Sequence, residues 1–278
     1  YATEPARLQA LLLAMQGLGK PGANQVKMIE WGLFDNVEQC AMPRGSVLPS
    51  LRAAYQGGHP EDENTPFIPK TLIHDAILEP PLSWYGNESE LPNRVTQFVK
   101  HVYPMEGCSE IHMIWTDSPC WITCWNDGNR LIKAFKDPKI EFILAQHPWL
   151  ENDCLFADII LPVNTIFEED DIGSDIFSGQ FNLVFPQEKC IESIGESMSD
   201  YEIVCEIAKK LGLYEEYTDG KSVEEWIRYG FETSGVQDKI SWEEIKEKGY
   251  YVVPTDPNWK KYPAGLRKFY ENPEENPL

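Results

Sequence analysis

Three short apolar runs between residues 110 and 162 constrain the fold of this chain more than any other feature. They are EIHMIW at 110–115, IEFILA at 140–145 and ADIIL at 157–161, and the helical pattern NRLIKAF at 129–135 separates the first two. Apolar runs that alternate with helices are typical of buried parallel strands. We therefore predict an α/β fold with parallel, doubly wound sheets and flanking helices.

Helical patterns also lie outside this region. ARLQALLLAMQ at 6–16 repeats leucines on one face, with Thr3 as the expected N-cap. Further helices are predicted at 70–78, 199–211, 223–231 and 242–248, and Ser199 with Glu202 has capping-box spacing. The rest of 51–93 is rich in Gly and Pro, so we expect it to be irregular. The pattern suggests two α/β lobes, residues 1–137 and 138–278.

The balance of charge excludes one class of partner. The chain has 45 acidic and 24 basic residues, a net charge of -21. Nucleic-acid binding depends on neutralising phosphates with Lys and Arg, so we expect no nucleic-acid partner. Acidic clusters, including residues 168–171, are expected to be solvated surface. No apolar run has the length of a membrane span.

The seven cysteines do not form a recognisable metal site. There is no C-x-x-C pair, and Cys108, Cys120 and Cys124 have the spacing of neither zinc nor iron–sulfur ligands. A dispersed, odd count favours free thiols in a reducing compartment, here the cytoplasm. No metal ligand is assigned in this chain.

Two polar loops follow the first two predicted strands. Thr116, Asp117 and Ser118 come after the first strand, and Gln146 and His147 end the second. The carboxyl ends of parallel strands meet at one edge of a sheet, where α/β proteins bind ligands. Polar residues are common in such loops, so their order along the chain decides what they indicate.

That order resembles the molybdopterin oxidoreductases of the dimethyl sulfoxide reductase-like family. In that family a strand with an Asn-Pro-type loop precedes a helix, a strand ending in Gln-Asp, a short Thr-Glu-Thr-like turn and Ala-Asp-Ile-Val-Leu-Pro. Here the matching pieces are TDSP, NRLIKAF, IEFILAQ, LEND and ADIILP. The opening helix with its loop GLGKPG, and YPAGLR with FY near the end, are also similar to the family pattern.

The resemblance implies a bis(molybdopterin guanine dinucleotide) molybdenum cofactor, each lobe holding one half. It identifies the chain as an internal segment of a larger catalytic subunit, with residues 138–278 leading toward a C-terminal barrel. Thr116, Asp117, Ser118, Gln146 and His147 are the expected cofactor-binding residues. The molybdenum ligand would lie upstream, and no catalytic residue is identified.

Within the family, the Trp-rich loop at Trp121 and Trp125 and the acidic region after Asp200 are most similar to the transhydroxylase branch. That branch transfers a hydroxyl group between trihydroxybenzenes, with net conversion of pyrogallol to phloroglucinol, and has a smaller iron–sulfur partner subunit. An oxygen-atom reductase acting on a sulfoxide, polysulfide or oxyanion is the alternative, and a non-enzymatic α/β ligand-binding module is a further one.

Two departures from the family pattern bear on the site. His147 stands where many relatives have Asp, and Ser118-Pro119 stands where they have Asn-Pro. Asp117 is our candidate for the carboxylate that reads guanine instead. Trp121, Trp125 and Trp149 fit either packing against the sheet or a pocket wall, and Asp158 is expected to fix local backbone.

Overall fold

The computed structural model describes residues 3–17, 20, 68–86, 99–175, 183–252 and 270–275. The chain divides into two units, one comprising Tyr1–Ser50, Gly173–Phe185 and Phe231–Leu278, the other Leu51–Ile172 and Pro186–Gly230. The family-like motif at 262–267 and part of the 17–22 loop lie outside the described residues.

Helices and strands alternate in the middle of the chain, whereas strands follow strands and helices follow helices elsewhere. In chain order they are α1 (Thr3–Met15), a 3-10 turn (Lys70–Leu72), α2 (Ile73–Leu78), β1 (Leu82–Gly86), β2 (Val99–Tyr103), β3 (Met113–Thr116), α3 (Trp121–Cys124), α4 (Gly128–Phe135), β4 (Phe142–His147), a 3-10 turn (Asn152–Phe156), β5 (Ile159–Pro162), β6 (Asp171–Asp175), β7 (Leu183–Gln187), α5 (Asp200–Leu211), α6 (Tyr214–Thr218), α7 (Val223–Thr233), a 3-10 turn (Val236–Asp238), α8 (Trp242–Lys248) and β8 (Tyr251–Val252).

A three-stranded parallel sheet in the order β3-β4-β5 lies in the second unit. One face carries Ile114 and Ile143, which pack with Ile77 of α2 and with Ala134 and Phe135 of α4 in a buried cluster. The register pairs Ile114 with Ile143, so these side chains point to the same side of the sheet. The predicted α/β class, with a parallel sheet and flanking helices, is confirmed.

Local sequence explains where the helices begin and end. Ser199 Oγ accepts from Glu202 N, and the Glu202 carboxylate accepts from Ser199 N, so the predicted capping box of α5 is confirmed. Gly212 ends α5 at a φ of 72°. Asp127, itself at a φ of 55°, caps α4 by accepting from Arg130 N.

Two expectations about local structure were wrong. Thr3 is the first residue of α1 rather than its N-cap. Residues 82–86 are not irregular: they form β1, which pairs antiparallel with β2 from Leu82–Tyr103 to Gly86–Val99. The pairing partner of β1 comes from beyond the Gly- and Pro-rich stretch, and this partner satisfies its backbone groups.

The predicted lobe boundary at residues 137 and 138 falls inside the second unit, between strands β3 and β4, which pair with each other. The assignment of lobes to halves of a cofactor stays a prediction. A second, three-stranded sheet has the order β6-β7-β8, with β7 and β8 antiparallel. Among the described helices, none is both long and apolar enough to cross a membrane.

Candidate functional site

The two predicted loops lie side by side at the carboxyl edge of the parallel sheet. Thr116, the last residue of β3, pairs with Ala145 of β4, and the next residues of β4 are Gln146 and His147. On the other side, Gln146 pairs with Leu161 of β5. The fold therefore brings all five sequence-predicted residues to neighbouring strand ends.

The first loop has an anchored start and an exposed middle. Thr116 is buried, and its hydroxyl accepts a hydrogen bond from Ser118 N at 3.2 Å. Asp117 and Ser118 are exposed. Within the described part of the chain, neither of their side chains forms a hydrogen bond or an ion pair. Their carboxylate and hydroxyl are thus free to bind a ligand.

Gln146 is in a different position, because it is only 4% exposed. Its Oε1 accepts from the indole Nε1 of Trp115 at 3.1 Å, and its Nε2 donates to Oδ1 of Asp200 at the start of α5. The amide therefore links β3, β4 and α5. The neighbouring His147 is half-buried, and its Nδ1 accepts from Trp149 N at 3.3 Å.

Sequence reasoning treated Asp153 only as part of a turn, but it organises the first loop. This residue is 3% exposed, and its carboxylate accepts from the backbone N–H groups of Trp121 and Ile122. Burial raises the pKa of Asp153, and the two N–H bonds act against that shift. Its sequence signal was an acid beside an apolar pair, Cys154 and Leu155, which a pattern alone does not distinguish from a surface turn.

The tryptophans of the first loop pack onto the sheet. Trp121 stacks on Trp125 with ring centroids 4.4 Å apart, contacts Phe135 at 5.8 Å, and lies against the buried cluster. For Trp121 and Trp125, these contacts favour packing against the sheet over a role as a pocket wall. Trp149 is 64% exposed, in the second loop.

The acidic run after β5 was wrongly expected to be solvated throughout. Glu168 is 4% exposed and accepts from the N–H groups of Thr165 and Ile194, which lowers its pKa. For Glu169, burial and then the charges of nearby carboxylates, with Asp171 and Asp200 the largest, raise the pKa to about 7. The acidic run is thus partly buried. Glu169 lies close enough to Asp200, the hydrogen-bond partner of Gln146, for the charge of Asp200 to raise its pKa.

The structure offers no preformed metal site in the residues it describes: no group of three or more His, Cys, Asp or Glu side chains is arranged to hold an ion. Asp158 accepts from Ile143 N at 2.8 Å, at the opposite, amino end of β4. Its expected role in fixing backbone is confirmed.

Comparison with known proteins gives the family. The family model described as molybdopterin oxidoreductase matches residues 8–210. The chain is 32% identical to the pyrogallol hydroxytransferase large subunit of Pelobacter acidigallici over 99% of its own length and 35% of that protein. It is 28% identical to a trimethylamine-N-oxide reductase of Haemophilus influenzae over 96% of its length and 31% of that protein.

A third relative, dimethyl sulfoxide reductase DmsA of Escherichia coli, is 29% identical over 60% of this chain and 21% of its own length. The chain thus spans about a third or less of these curated relatives. A solved structure of acetylene hydratase from Pelobacter acetylenicus aligns with a TM-score of 0.40 and 16% identity over 53% of this chain and 19% of that chain, too low to define the fold. By its match to the family model over more than half its length, the chain belongs to the molybdopterin oxidoreductase family, whose relatives here are enzymes.

Proposed function

We propose that this chain is part of a molybdenum enzyme that binds bis(molybdopterin guanine dinucleotide) and transfers a hydroxyl group between trihydroxybenzenes, with net conversion of pyrogallol into its isomer phloroglucinol. The observation that supports this most is the pair of polar loops at adjacent ends of β3 and β4. They lie in a chain that resembles a pyrogallol hydroxytransferase large subunit across 99% of its length.

The side chains at this edge fit the nucleoside end of such a cofactor. The exposed Asp117 carboxylate can accept the paired N–H groups of a guanine edge, and Ser118 can bond a ribose hydroxyl. Thr116 and Gln146 would support the binding loops rather than contact the cofactor directly. The Thr116 hydroxyl already accepts from the backbone, and the Gln146 amide already bonds a neighbouring side chain. When bound, the metal and pterin supply the hydroxyl-transfer chemistry.

We identify no free arginine for the phosphate groups of the cofactor among the described residues near this edge. Arg130 is paired with Asp75 and Glu79, each at 2.7 Å. Its guanidinium group is engaged within the chain, so we do not assign it to the cofactor. His147, half-buried at the end of β4, is the remaining candidate for a phosphate or ribose contact.

The proposal extends to the partners of the full enzyme. We propose a smaller subunit that carries iron–sulfur clusters and a phenolic small-molecule substrate, as the resemblance to a large subunit suggests. A cytoplasmic location is supported by the free thiols of the described cysteines, such as Cys154 and Cys205. The two predicted lobes, 1–137 and 138–278, would share one end of the cofactor at this edge, because β3 belongs to the first lobe and β4 to the second.

The test compares Asp117→Ala and Ser118→Ala with Glu141→Ala in the holoenzyme. Glu141 is an exposed acid just before β4, at the far edge of the same sheet, and so controls for loss of surface charge. Molybdenum and guanine per subunit are measured, together with conversion of pyrogallol to phloroglucinol without an added electron donor. We expect the two loop variants to lose cofactor while the control keeps it. Absence of molybdenum and guanine from the wild type would exclude the proposal.

An oxygen-atom reductase is the second candidate, because the chain also resembles trimethylamine-N-oxide and dimethyl sulfoxide reductases. A reductase consumes electrons, whereas isomerisation of a trihydroxybenzene leaves the substrate's oxidation state unchanged. Reduction of an N-oxide or sulfoxide that requires a reduced dye, with no turnover of pyrogallol, would favour this candidate.

A further inference from the structure

Asp153 joins the segments that follow two different strands. It lies in the 3-10 turn after β4, yet its carboxylate Oδ2 accepts from Trp121 N at 2.7 Å and its Oδ1 from Ile122 N at 3.2 Å. Its own N–H donates to Pro119 O at 3.1 Å. All three bonds reach residues 119–122, directly after Asp117 and Ser118.

The bonds replace a cap that α3 does not have. A helix leaves its first N–H groups without internal acceptors, and the N-cap side chain normally supplies one. Cys120 occupies the N-cap of α3 and makes no side-chain cap bond. The acceptors come instead from Asp153, 32 residues from Trp121 along the chain.

A carboxylate at 3% exposure loses solvation, so a residue kept there only for packing would be apolar. An apolar residue at 153 would leave the N–H groups of Trp121 and Ile122 without that acceptor. The buried carboxylate of Asp153 is therefore linked to the backbone conformation of residues 119–122.

That stretch carries the exposed polar groups of the first loop. Its start is fixed where Thr116 Oγ1 accepts from Ser118 N, and its turn is closed by Cys120 N donating to Ser118 O at 2.7 Å. Its far end is fixed by Asp153. The side chains of Asp117 and Ser118 lie between these two anchors.

We infer that Asp153 is a positioning residue for the guanine end of the cofactor: it holds the 116–122 loop so that Asp117 and Ser118 meet the nucleotide, without touching it. This inference rests on the proposed function. It couples the loop after β3 to the turn after β4, so that one buried carboxylate sets the shape of the binding edge.

The test uses Asp153→Ala and Asp153→Asn in the holoenzyme, with Asp158→Asn as the control. Asp158 also binds a backbone N–H of the same sheet, Ile143 N, but at the amino edge of β4. Molybdenum and guanine per subunit are followed over time after gel filtration, together with the melting temperature. We expect Asp153→Ala to release cofactor on the order of tenfold faster than wild type. Asp153→Asn keeps one acceptor oxygen, so its rate of cofactor release should lie between those of Asp153→Ala and the wild type.

The control separates positioning from simple destabilisation. Asp158→Asn should lower the melting temperature without changing the rate of cofactor release. If the Asp153 variants release cofactor no faster than Asp158→Asn at matched melting temperature, the inference is wrong while the proposed function stands. If the wild type carries no molybdenum or guanine, the proposed function fails and the inference falls with it. Should Asp153→Ala not fold, the nearly isosteric Asp153→Asn decides the result.

Discussion

The amide of Gln146 at the end of β4 donates a hydrogen bond to the carboxylate of Asp200, the first residue of α5. Because Gln146 also accepts from the indole of Trp115, one buried side chain joins two strands of the parallel sheet to a helix 54 residues away. The residue thus combines a place at the candidate site with a structural role.

We therefore expect Gln146→Ala to lower the free energy of unfolding by about 1–3 kcal/mol, because it removes two hydrogen bonds, one from the Trp115 indole and one to the Asp200 carboxylate, each worth about 0.5–1.5 kcal/mol. Asp117→Ala, which removes an exposed side chain, should change stability by less than about 0.5 kcal/mol. Urea unfolding measures both. A double-mutant cycle with Asp200→Ala should show a coupling above about 0.5 kcal/mol. Equal losses for Gln146→Ala and Asp117→Ala would contradict this role.

These long-range bonds mark the limit of what the sequence could predict. The parallel strands, the capping box at Ser199 and the adjacency of the two loops follow from patterns within a few residues. The bonds of Gln146 to Asp200 and of Asp153 to Trp121 join residues 54 and 32 positions apart. Local pattern carries no information about such partners. The antiparallel pairing of β1 with β2 was missed for the same reason.

Glu169 gives the chain a pH-dependent stability. Burial, followed by the charges of Asp171, Asp200, Glu202 and Glu168, raises its pKa from 4.5 to about 7. The folded chain then holds a proton that the unfolded chain has lost. The contribution of Glu169 to the stability of the folded chain is fully present below pH 4.5 and is lost as the pH rises through about 7.

Glu169→Gln removes this titration, so the variant should gain stability relative to wild type as the pH rises from 4.5 to 8. Melting temperatures across that range measure the difference. Glu188→Gln, an exposed acid, serves as the control and should follow the wild type. A constant difference between Glu169→Gln and wild type over the whole range would contradict the raised pKa.

Arg130 ties α4 to α2 through two carboxylates, with its Nε on Asp75 and its Nη2 on Glu79. A lysine has one charged nitrogen and cannot reproduce both contacts. Arg130→Lys should therefore lower the melting temperature only slightly, since the groups are partly exposed, and the loss should shrink in 1 M salt. Cofactor content should not change. A clear loss of cofactor in Arg130→Lys would instead place this guanidinium at the phosphates.

Gly128 allows α4 to begin close to the backbone of α3. A Cβ at this position would lie 2.2 Å from the carbonyl oxygen of Ile122, a distance that only movement of the backbone can relieve. Ile122 is also one of the two residues whose N–H binds Asp153, so the displacement would reach the loop that carries Asp117. Glycine at 128 is thus required by close approach, although alanine is the better helix former.

Gly128→Ala should therefore destabilise the chain by about 1–3 kcal/mol, as expected for overpacking. Asn129→Ala is the matched control, since Asn129 is exposed in the same helix and alanine there should be neutral or slightly stabilising. Thermal unfolding of both variants gives the comparison, and cofactor content of the holoenzyme gives the second readout. If Gly128→Ala were as stable as Asn129→Ala and kept its cofactor, the close packing of α4 on Ile122 would not be what shapes the loop.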